Sequence, residues 1–359
     1  MKEGWEYKTF EECIVKVPRQ KQIKSKDYLS SGIYPVVSQE QDLISGYYND
    51  ESYVYKHAKP IVVFGDHTKN IKYIDFDFVI GADGTQILMT IEDIETKFFY
   101  YAIKSIKLDN LGYARHYKLL KKNIIGFPSK DQQRRIVSYL DSSFKLIDEI
   151  KNKALKSLTE AKALFQSALA EAMEPKEGWE EKTFGEICTY HKEQKRENGY
   201  KYIGMENIES GTGNLIGYGS TDNVLSSTFF FKKGEVLYGR LRPYLKKVYI
   251  AEFDGCCSTE IFPIKTNGVL PGLIKYWFLT DEITNKINDT SAGCRMPRGN
   301  MNEVLQFHLY IPSDKQSQMQ IVSHLDKLSS KVRAIEEKYQ KMVEECDALK
   351  QAMLRDVFE

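Results

Sequence analysis

The chain has 359 residues, of which 42% are apolar and 28% are charged, so it is long enough for two ordinary globular domains. Its 51 basic and 50 acidic side chains give a formal net charge of +1, so any nucleic-acid site has to come from local clusters of basic residues. Met1 to Glu12 lack the apolar core of a secretory signal and no apolar run reaches the roughly 18 to 20 residues that cross a bilayer, which excludes a membrane-spanning protein and predicts a cytoplasmic one.

Residues 1–128 are rich in β-branched and aromatic residues that form short runs between Gly, Asn and Asp. The runs are YPVVSQ, PIVVFG, NIKYIDFDFVIG and TQILMT. This texture predicts a twisted, mostly antiparallel sheet with a helical piece at 92–106.

One group of residues in this region has the composition of a metal site. The segments FGDHT and DFDFVIGADGT contain Asp66, His67, Asp75, Asp77 and Asp83. Three of these acids lie beside Gly or aromatic residues in evident turns, where Asp usually serves the local backbone. We therefore favour a turn role and predict no metal site.

The first of three basic segments follows at 112–122. It reads GYARHYKLLKK and contains Arg115, His116, Lys118, Lys121 and Lys122 without an acid. Basic residues with aromatic neighbours in loops suit contacts to phosphates and base edges. Solvated surface is the alternative interpretation for any one such segment taken alone.

A long helix is predicted from about 131 to 173, because no Gly or Pro lies between Pro128 and Pro175. At 1.5 Å per residue such a helix is about 6 nm long. Its apolar face is Ile136, Leu140, Phe144, Ile147, Ile150, Ala154, Leu158, Ala161, Phe165, Ala168 and Ala172.

The chain then begins again. KEGWEYKTF at 2–10 returns as KEGWEEKTF at 176–184. Residues 176–312 repeat the β-rich texture, with a helical piece at 269–289. Two more basic segments lie here, YGRLRPYLKK with Arg240, Arg242, Tyr244, Lys246 and Lys247, and GCRMPRGN with Arg295 and Arg298.

A second Gly- and Pro-free stretch runs from 313 to the C-terminus and predicts a second long helix. Its apolar residues alternate steps of four and three, which is typical of a heptad seam. They are Ile321, Leu325, Leu328, Val332, Ile335, Tyr339, Met342, Cys346, Leu349 and Met353.

Both helix starts belong to the repeat, since IVSYLD at 136–141 returns as IVSHLD at 321–326. The openings are 174 residues apart and the helix starts are 185 apart, so the second copy holds about 11 more residues in its middle. Gly112 and Gly293 both lie 16 to 19 residues before the closing Pro, so a basic segment recurs in both copies. The repeat predicts two domains of one plan whose long helices pack as an antiparallel pair with pseudo-twofold symmetry.

Motifs of an active site are missing from the sequence. There is no P-loop, no H-E-x-x-H, no G-x-S-x-G and no Pro-Pro of a methyltransferase catalytic loop. The six cysteines, Cys13, Cys188, Cys256, Cys257, Cys294 and Cys346, contain no C-x-x-C pair. They predict reduced, mostly buried thiols.

The order of these parts resembles the DNA-specificity subunit of type I restriction-modification systems over essentially the whole chain. The residues that carry the resemblance are the paired GW...KTF openings, YPVVSQ, PIVVFGDHT with GADGTQILM, VLYGRLRPYLKKVYIAEFDGCCSTE, and the two IVSxLD helix starts.

The resemblance implies an α+β fold with two target recognition domains at 1–130 and 175–313, separated by spacer helices at 131–174 and 314–359. It implies a non-catalytic subunit in which each domain reads one half of a split, asymmetric site in double-stranded DNA. The helices fix the gap and dock two methyltransferase subunits, which carry S-adenosylmethionine and methylate adenine N6. A translocating endonuclease subunit joins for cleavage, and no cofactor or metal resides in this chain.

The same resemblance transfers DNA contact to loop residues and partner docking to helix residues. The DNA-contact residues are Arg115, His116, Lys118, Arg240, Arg242, Tyr244, Lys246, Arg295 and Arg298, with Ser38, Gln39, His67, Thr68 and Lys69 as weaker candidates. The docking residues are Ile136, Leu140, Ile147, Ile321, Leu325, Leu328 and Val332.

Two other hypotheses stay open at this point. A coiled-coil scaffold that pairs two protein-binding domains explains the repeat but leaves the matched basic segments without a role. A small-molecule or metal enzyme would be centred on Asp66 and His67.

Residues 1–128 hold 18 basic against 17 acidic side chains, so we expect weak, salt-sensitive DNA binding by the isolated chain. An orphan or phage-borne relative is a further variant of the DNA-reading hypothesis.

Overall fold

The computed structural model describes residues 2–18, 20–109, 112, 114–194, 199–291 and 295–359. Gly293 and Cys294, from the third basic segment, and Tyr113, from the first, lie outside the described residues. The chain forms two compact units, one of Met1–Ala154 with Lys341–Glu359 and one of Leu155–Gln340. In the part of the chain that is described, no helix is both long and apolar enough to span a membrane.

The first β-rich region consists of short strands and two helices, and a long helix follows it. Its described strands are β1 Glu6–Thr9, β2 Ile14–Val15, β3 Gln22–Ile23, β4 Tyr34–Val37, β5 Gly46–Tyr48, β6 Val54–Tyr55, β7 Ile61–Gly65, β8 Ile71–Ile74, β9 Phe78–Gly81, β10 Thr85–Thr90 and β11 Ile124–Phe127. The helices are α1 Thr96–Ser105, α2 Tyr117–Leu120 and the long α3 Lys130–Met173.

The second β-rich region follows the same plan. Its described strands are β12 Trp179–Thr183, β13 Cys188–Tyr190, β14 Lys201–Ile203, β15 Gly219–Ser220, β16 Thr228–Phe231, β17 Val236–Gly239, β18 Val248–Ile250, β19 Gly255–Ser258, β20 Ile261–Thr266 and β21 His308–Pro312. The helices are α4 Phe184–Ile187, α5 Pro271–Leu279, α6 Asp281–Asp289, α7 Met301–Val304 and the long α8 Lys315–Phe358. Short 3-10 helices lie at Phe10–Cys13, Ser25–Asp27, Glu51–Tyr53, Met205–Asn207, Thr221–Asn223 and Pro243–Leu245.

Strand pairing shows that the two regions share one topology. A two-stranded ladder of β1 with β11 corresponds to β12 with β21, and the sheet β2-β10-β7-β8 corresponds to β13-β20-β17-β18. In the remaining sheet β9 pairs parallel with β4 and antiparallel with β6, and β19 pairs parallel with β14 and antiparallel with β16. The α+β fold with mostly antiparallel sheets is therefore confirmed, and the sequence repeat is a repeat of topology.

The repeated KTF of the openings is a helix-start signal in both copies. Thr9 and Thr183 form capping boxes with Glu12 and Glu186, in which each glutamate accepts hydrogen bonds from the threonine hydroxyl and backbone N–H. The following Phe10 or Phe184 is fully buried in its region's core. Because ionised carboxylates accept these hydrogen bonds, the pKa values of both glutamates are lowered, for Glu12 chiefly by the Thr9 hydroxyl and for Glu186 chiefly by the Thr183 backbone.

A buried glutamine fixes the start of each long helix. Gln133 is 0% exposed, donates to the carbonyls of Pro128 (2.9 Å) and Asp93 (3.0 Å), and accepts from the backbone N–H of Glu95 (2.8 Å). Gln318 is 2% exposed, donates to Pro312 O and accepts from the N–H of Leu270, both at 2.9 Å. One side chain thus ties each helix to the closing Pro and to the segment before α1 or α5.

The aspartate that ends the IVSxLD motif connects each long helix to a helix of its own β-rich region, α1 or α5. The Tyr101 hydroxyl donates to Asp141 Oδ1, and the Tyr276 hydroxyl donates to Asp326 Oδ1, both at 2.6 Å. Burial and the hydrogen bond to the carboxylate raise the pKa of both tyrosines, so each stays a neutral donor at any ordinary pH. This explains why the terminal Asp of the motif recurs.

The long helices pack antiparallel, as predicted. In the first unit Lys151 of α3 pairs with Asp347 of α8 at 2.6 Å, and Asp148 pairs with Lys350, so the residue numbers run in opposite directions. In the second unit burial raises the pKa of Glu336, and the nearby Lys162 partly offsets this effect. Buried contacts from α3 and α8 include Leu140, Phe144, Ile147 and Leu354 in the first unit and Phe165, Leu169, Leu325 and Val332 in the second.

The apolar seam, however, is not the unbroken stripe that we predicted. Ile150 is 42% exposed, Ile335 is 41% exposed and Leu349 is 51% exposed, although all three continue the heptad steps. Helices with 3.6 residues per turn drift by roughly 20° per heptad relative to a 3.5-residue repeat. This drift brings Leu169 and Leu354, which lie one position beside the seam, into buried positions, but it does not remove the whole stripe from the contact, since Ala154, Phe165 and Cys346 of the seam remain at most 7% exposed.

Candidate nucleic-acid interface

The predicted DNA-contact residues of the first region lie in one group of loops. The first loop cluster consists of residues 38–40, 65–69, 82–84 and 114–118, which follow β4, β7 and β9 or precede and begin α2. Backbone hydrogen bonds join these loops. The N–H of Asp66 donates to Gly84 O and the N–H of His116 donates to Asp66 O, both at 2.8 Å.

The second region brings its predicted residues together in the same way. The second loop cluster consists of residues 239–247, 258–260 and 295–300. The N–H of Arg240 donates to Glu260 O and the N–H of Gly299 donates to Arg240 O, both at 2.9 Å. Asp66 directly follows β7, and Arg240 directly follows the corresponding strand β17. Arg240 therefore occupies the position in the second loop cluster that Asp66 occupies in the first.

The buried side chain of Asp66 holds the loops of the first loop cluster together. Its side chain is 4% exposed, and its carboxylate accepts from the backbone N–H of Tyr117 at 2.8 Å and faces Arg115 Nε at 3.8 Å. His116 is 1% exposed, and its Nδ1 lies 3.0 Å from Asp66 O. These contacts hold the loop so that the Arg115 side chain, 75% exposed, projects at the surface.

Gln39 joins the turn after β7 to the loop after β4. Its Oε1 accepts from the His67 N–H at 3.1 Å, and its carbonyl accepts from the Thr68 hydroxyl at 2.5 Å. Gly84 has φ +80°, and a Cβ there would lie 2.8 Å from both Gln39 Oε1 and His67 Cδ2. The GADGT motif therefore needs glycine for both its backbone conformation and this close approach.

The remaining residues predicted in the first region differ in exposure. Ser38 is 2% exposed and its hydroxyl lies 2.7 Å from that of Ser45, so it has an interior position. Lys118 is exposed and Lys69 is half-buried, with the left-handed φ of 62°. Within the described ranges no group of three or more His, Cys, Asp or Glu side chains is arranged to hold a metal ion.

In the second loop cluster one carboxylate holds two arginines. Arg240 Nε donates to Glu260 Oε2 at 3.1 Å, and Arg298 Nε donates to Glu260 Oε1 at 2.8 Å. The Arg240 guanidinium also lies over the ring of Phe262, 5.1 Å from its centroid. Neither Glu260 nor Phe262 was among the predicted site residues, because a single acid and an aromatic residue in a strand carry no sequence signal.

The other predicted residues of this cluster fall into two groups. Arg242, Tyr244 and Arg295 are exposed, and Arg242 has the left-handed φ of 53°. The Lys246 side chain is only 12% exposed, and its ammonium group contacts Gln166 of α3 at 3.0 Å, Leu279 O and Asp281. Lys246 thus anchors this loop within the second unit.

The seven predicted docking residues lie inside the units. Leu140, Ile147, Leu325 and Val332 are at most 7% exposed, and Ile136, Ile321 and Leu328 are partly buried against the same clusters. Other large apolar side chains of the long helices are exposed. They are Tyr139, Leu146, Ile150 and Leu349 in the first unit, and Leu155, Leu164, Met319 and Ile335 in the second.

Four of these exposed residues form two pairs at equivalent positions of the sequence repeat. Ile150 and Ile335 are 185 positions apart, as are Leu164 and Leu349, which is the offset of the two helix starts. Two outward positions are therefore apolar on both long helices. Three of the four residues, Ile150, Ile335 and Leu349, also fit the apolar seam, which hid this regularity in the sequence.

Comparison with known proteins places these features in one group. The profile of the family described as the type I restriction modification DNA specificity domain matches residues 2–160 and again residues 176–345. The chain is 29% identical over 159 residues to the type I restriction enzyme EcoDI specificity subunit of Escherichia coli, a match that covers 44% of this chain and 35% of that relative. It is also 29% identical over 92 residues to the EcoR124I/EcoR124II specificity subunit of Escherichia coli, covering 25% and 23% of the two chains. The aligned part of this chain thus spans about a third or less of these relatives.

The fold has a relative among solved structures. A chain from a structure of complex assembly and conformational transition of the type I R-M system superimposes with a TM-score of 0.73 at 16% identity, covering 100% of this chain and 98% of that one. At this identity the likeness concerns the fold.

Proposed function

Because the chain belongs to the family of type I restriction modification DNA specificity domains, we propose that it is the sequence-specific DNA-binding subunit of a type I restriction-modification complex. Residues 1–130 and 175–313 are the two target recognition domains, and each reads one half of a bipartite, asymmetric duplex site. The helical segments 131–174 and 314–359 fix the distance between the two halves.

The observation that carries this proposal is the pair of loop clusters. Both are held by the same pattern of backbone hydrogen bonds after corresponding strands, yet Asp66 occupies the position of Arg240. Identical frames with different side chains suit two readers that have the same task but face different base sequences. Because the shared hydrogen bonds are between backbone groups, the same frame can present an acid in one copy and a base in the other.

The side chains at these positions suit contact with a duplex. Arg115, Arg242 and Arg295 are exposed basic residues on loops, and Lys118 is exposed on the short helix α2. Such side chains commonly contact phosphates and base edges. His116, Ser38 and Lys246 act in this proposal as positioning residues, since each is enclosed by the contacts that hold its loop.

For partner docking we assign the exposed apolar residues of the long helices. Two of these positions recur at an offset of 185 residues, as Ile150 with Ile335 and Leu164 with Leu349, which suits two copies of one partner that each meet equivalent side chains on one helix or the other. The partners proposed are two methyltransferase subunits, which hold S-adenosylmethionine and modify adenine N6, and a translocating endonuclease subunit. This chain contributes recognition and no catalytic residue.

The test is to co-express the chain with the methyltransferase subunit of its system, purify the complex and map adenine methylation by single-molecule sequencing. A split motif with a fixed gap is the expected result. A complex without any motif would contradict the proposal and favour the scaffold hypothesis.

As a matched pair, Leu164→Glu and Leu349→Glu should each weaken assembly, whereas the exposed polar pair Lys156→Glu and Lys341→Glu should have little effect.

A further inference from the structure

The arrangement around Glu260 is more specific than a basic patch. Arg240 and Arg298 come from different loops, and each gives its Nε–H to a separate oxygen of one carboxylate, at 3.1 and 2.8 Å. The three side chains are 32%, 42% and 22% exposed for Arg240, Arg298 and Glu260. The group therefore lies at the surface, with one net positive charge and a fixed geometry.

Arg240 is held at four points. Its N–H donates to Glu260 O, its carbonyl accepts from Gly299 N–H, its Nε binds the Glu260 carboxylate, and its guanidinium lies over Phe262. The Phe262 ring is itself stacked on Tyr190, with centroids 5.0 Å apart and planes 19° apart. Both the backbone and the plane of the guanidinium are thus fixed before any ligand arrives.

A fixed guanidinium plane matters most for reading bases, because two acceptors on a base edge must be met in one plane, whereas a phosphate can also be bound by the point charge of a lysine. A guanidinium has five N–H donors in one plane, and the hydrogen bond to Glu260 uses one of Arg240's. The terminal N–H groups of an arginine match O6 and N7 of guanine in the major groove, which is the commonest specific contact between a side chain and a base. Phosphate can be contacted by a point charge such as a lysine ammonium as well as by an arginine fork, so this contact does not require a fixed plane. Arg115 of the first loop cluster is 75% exposed and faces Asp66 at 3.8 Å.

We propose that Arg240 reads a guanine in the half-site contacted by residues 175–313, with Glu260 and Phe262 as positioning residues. This inference depends on the proposed DNA-reading function and adds one base to it. The first loop cluster has no counterpart, because the equivalent Asp66 is enclosed and its carboxylate accepts from the loop backbone. The two half-sites therefore differ in how this position is read.

The experiment maps adenine methylation for the full chain in complex with its methyltransferase subunit. Replacement of residues 176–312 by those of another family member first identifies which half of the motif they read. Arg240→Lys then keeps the charge but loses the planar fork, and Glu260→Ala frees the guanidinium, while Glu260→Asp restores a carboxylate. Glu282→Gln, an exposed residue of α6 that pairs with Lys286, is the control.

The expected result is a G·C pair in that half whose discrimination falls by roughly 5- to 150-fold in Arg240→Lys, the range of a good bidentate contact. Glu260→Ala should show a smaller loss at the same position, with partial recovery in Glu260→Asp. The other half of the motif and the control should be unchanged. Co-purification of each variant with the methyltransferase subunit shows that it is folded.

Other results would overturn the inference in distinguishable ways. If the half of the motif that residues 175–313 read contains no G·C pair, the role of Arg240 is contradicted and the proposed function still stands. Methylation that falls equally at all sites in Arg240→Lys, with the motif unchanged, means contact with phosphate alone and contradicts the inference. Absence of any motif in the wild-type complex contradicts the proposed function and this inference together.

Discussion

Replacement of Gln133 by Ala should loosen the junction between α3 and the first β-rich region. The side chain is fully buried and makes three hydrogen bonds to backbone groups, the carbonyls of Pro128 and Asp93 and the N–H of Glu95. Each net hydrogen bond contributes about 1 kcal/mol, and a buried group left unpaired costs about 1 to 3 kcal/mol. The Pro128 carbonyl bears the full penalty because its bond is buried, whereas water can reach the other two. We expect a loss of about 3 kcal/mol.

Hydrogen exchange of the full chain measures this loss locally. A loss of about 3 kcal/mol corresponds to roughly 100-fold faster exchange at the amide of Glu95, if that amide exchanges through opening of this junction. Gln132→Ala is the matched control, because Gln132 is exposed and lies one residue away. Gln318→Ala should give a smaller increase at Leu270, since two hydrogen bonds are lost there. Equal acceleration in Gln132→Ala and Gln133→Ala would refute the assignment of the buried glutamine as the fastening residue.

Three further predictions concern the repeated frame and its charge. Tyr101→Phe and Tyr276→Phe should each cost about 1 kcal/mol in urea unfolding, because each removes the same hydrogen bond to a helix carboxylate; a large effect in one copy and none in the other would contradict equivalent docking. Glu12→Gln and Glu186→Gln should lower the unfolding midpoint at pH 7, and since folding lowers both glutamate pKa values, the difference from wild type should shrink as the pH falls below about 4; a difference that grows with acidity would contradict the caps. The isolated chain, with a net charge of +1, should bind duplex DNA weakly and lose affinity steeply with salt in fluorescence anisotropy; nanomolar, sequence-specific binding at about 0.15 M salt would contradict this.

The sequence predicted the elements whose signal is local. Both long helices begin and end within a few residues of the predicted bounds, at Lys130–Met173 and Lys315–Phe358, because Gly and Pro are missing between Pro128 and Pro175 and again after Pro312. The helical piece at 269–289 proves to be α5 and α6, which meet at Thr280. The recurrence of GW...KTF and IVSxLD correctly indicated a repeated fold.

What the sequence did not predict depends on contacts between distant residues. In the sequence a glutamine follows each closing Pro at the fourth position, Gln132 after Pro128 and Gln316 after Pro312. Both are exposed, and the buried hydrogen bonds are made by Gln133 and Gln318 instead. Periodicity does not separate the helix positions that face the partner helix from those that face solvent, so Ile150 and Ile335 were placed in the seam. His116 has the residue type of a DNA contact, but its loop folds it against Asp66.

In the second loop cluster the residue types were predictable from the sequence, but the orientation of their side chains was not. Arginine-rich segments in the second region were identifiable from composition, and they do converge in one cluster. Their orientation depends on Glu260, which lies 20 positions from Arg240 and 38 from Arg298 in the sequence. No local pattern connects these residues, so the hydrogen bonds that hold Arg240 and Arg298 are visible only in the folded chain.

The most direct test of two readers in one frame is an exchange of one reader. Residues 176–312 would be replaced by the corresponding region of another family member, and adenine methylation would be mapped for the hybrid in complex with the methyltransferase subunit. We expect one half of the split motif to change, while the other half and the length of the gap stay the same. A hybrid whose two halves both change, or whose motif does not change at all, would contradict the assignment of one half-site to each region.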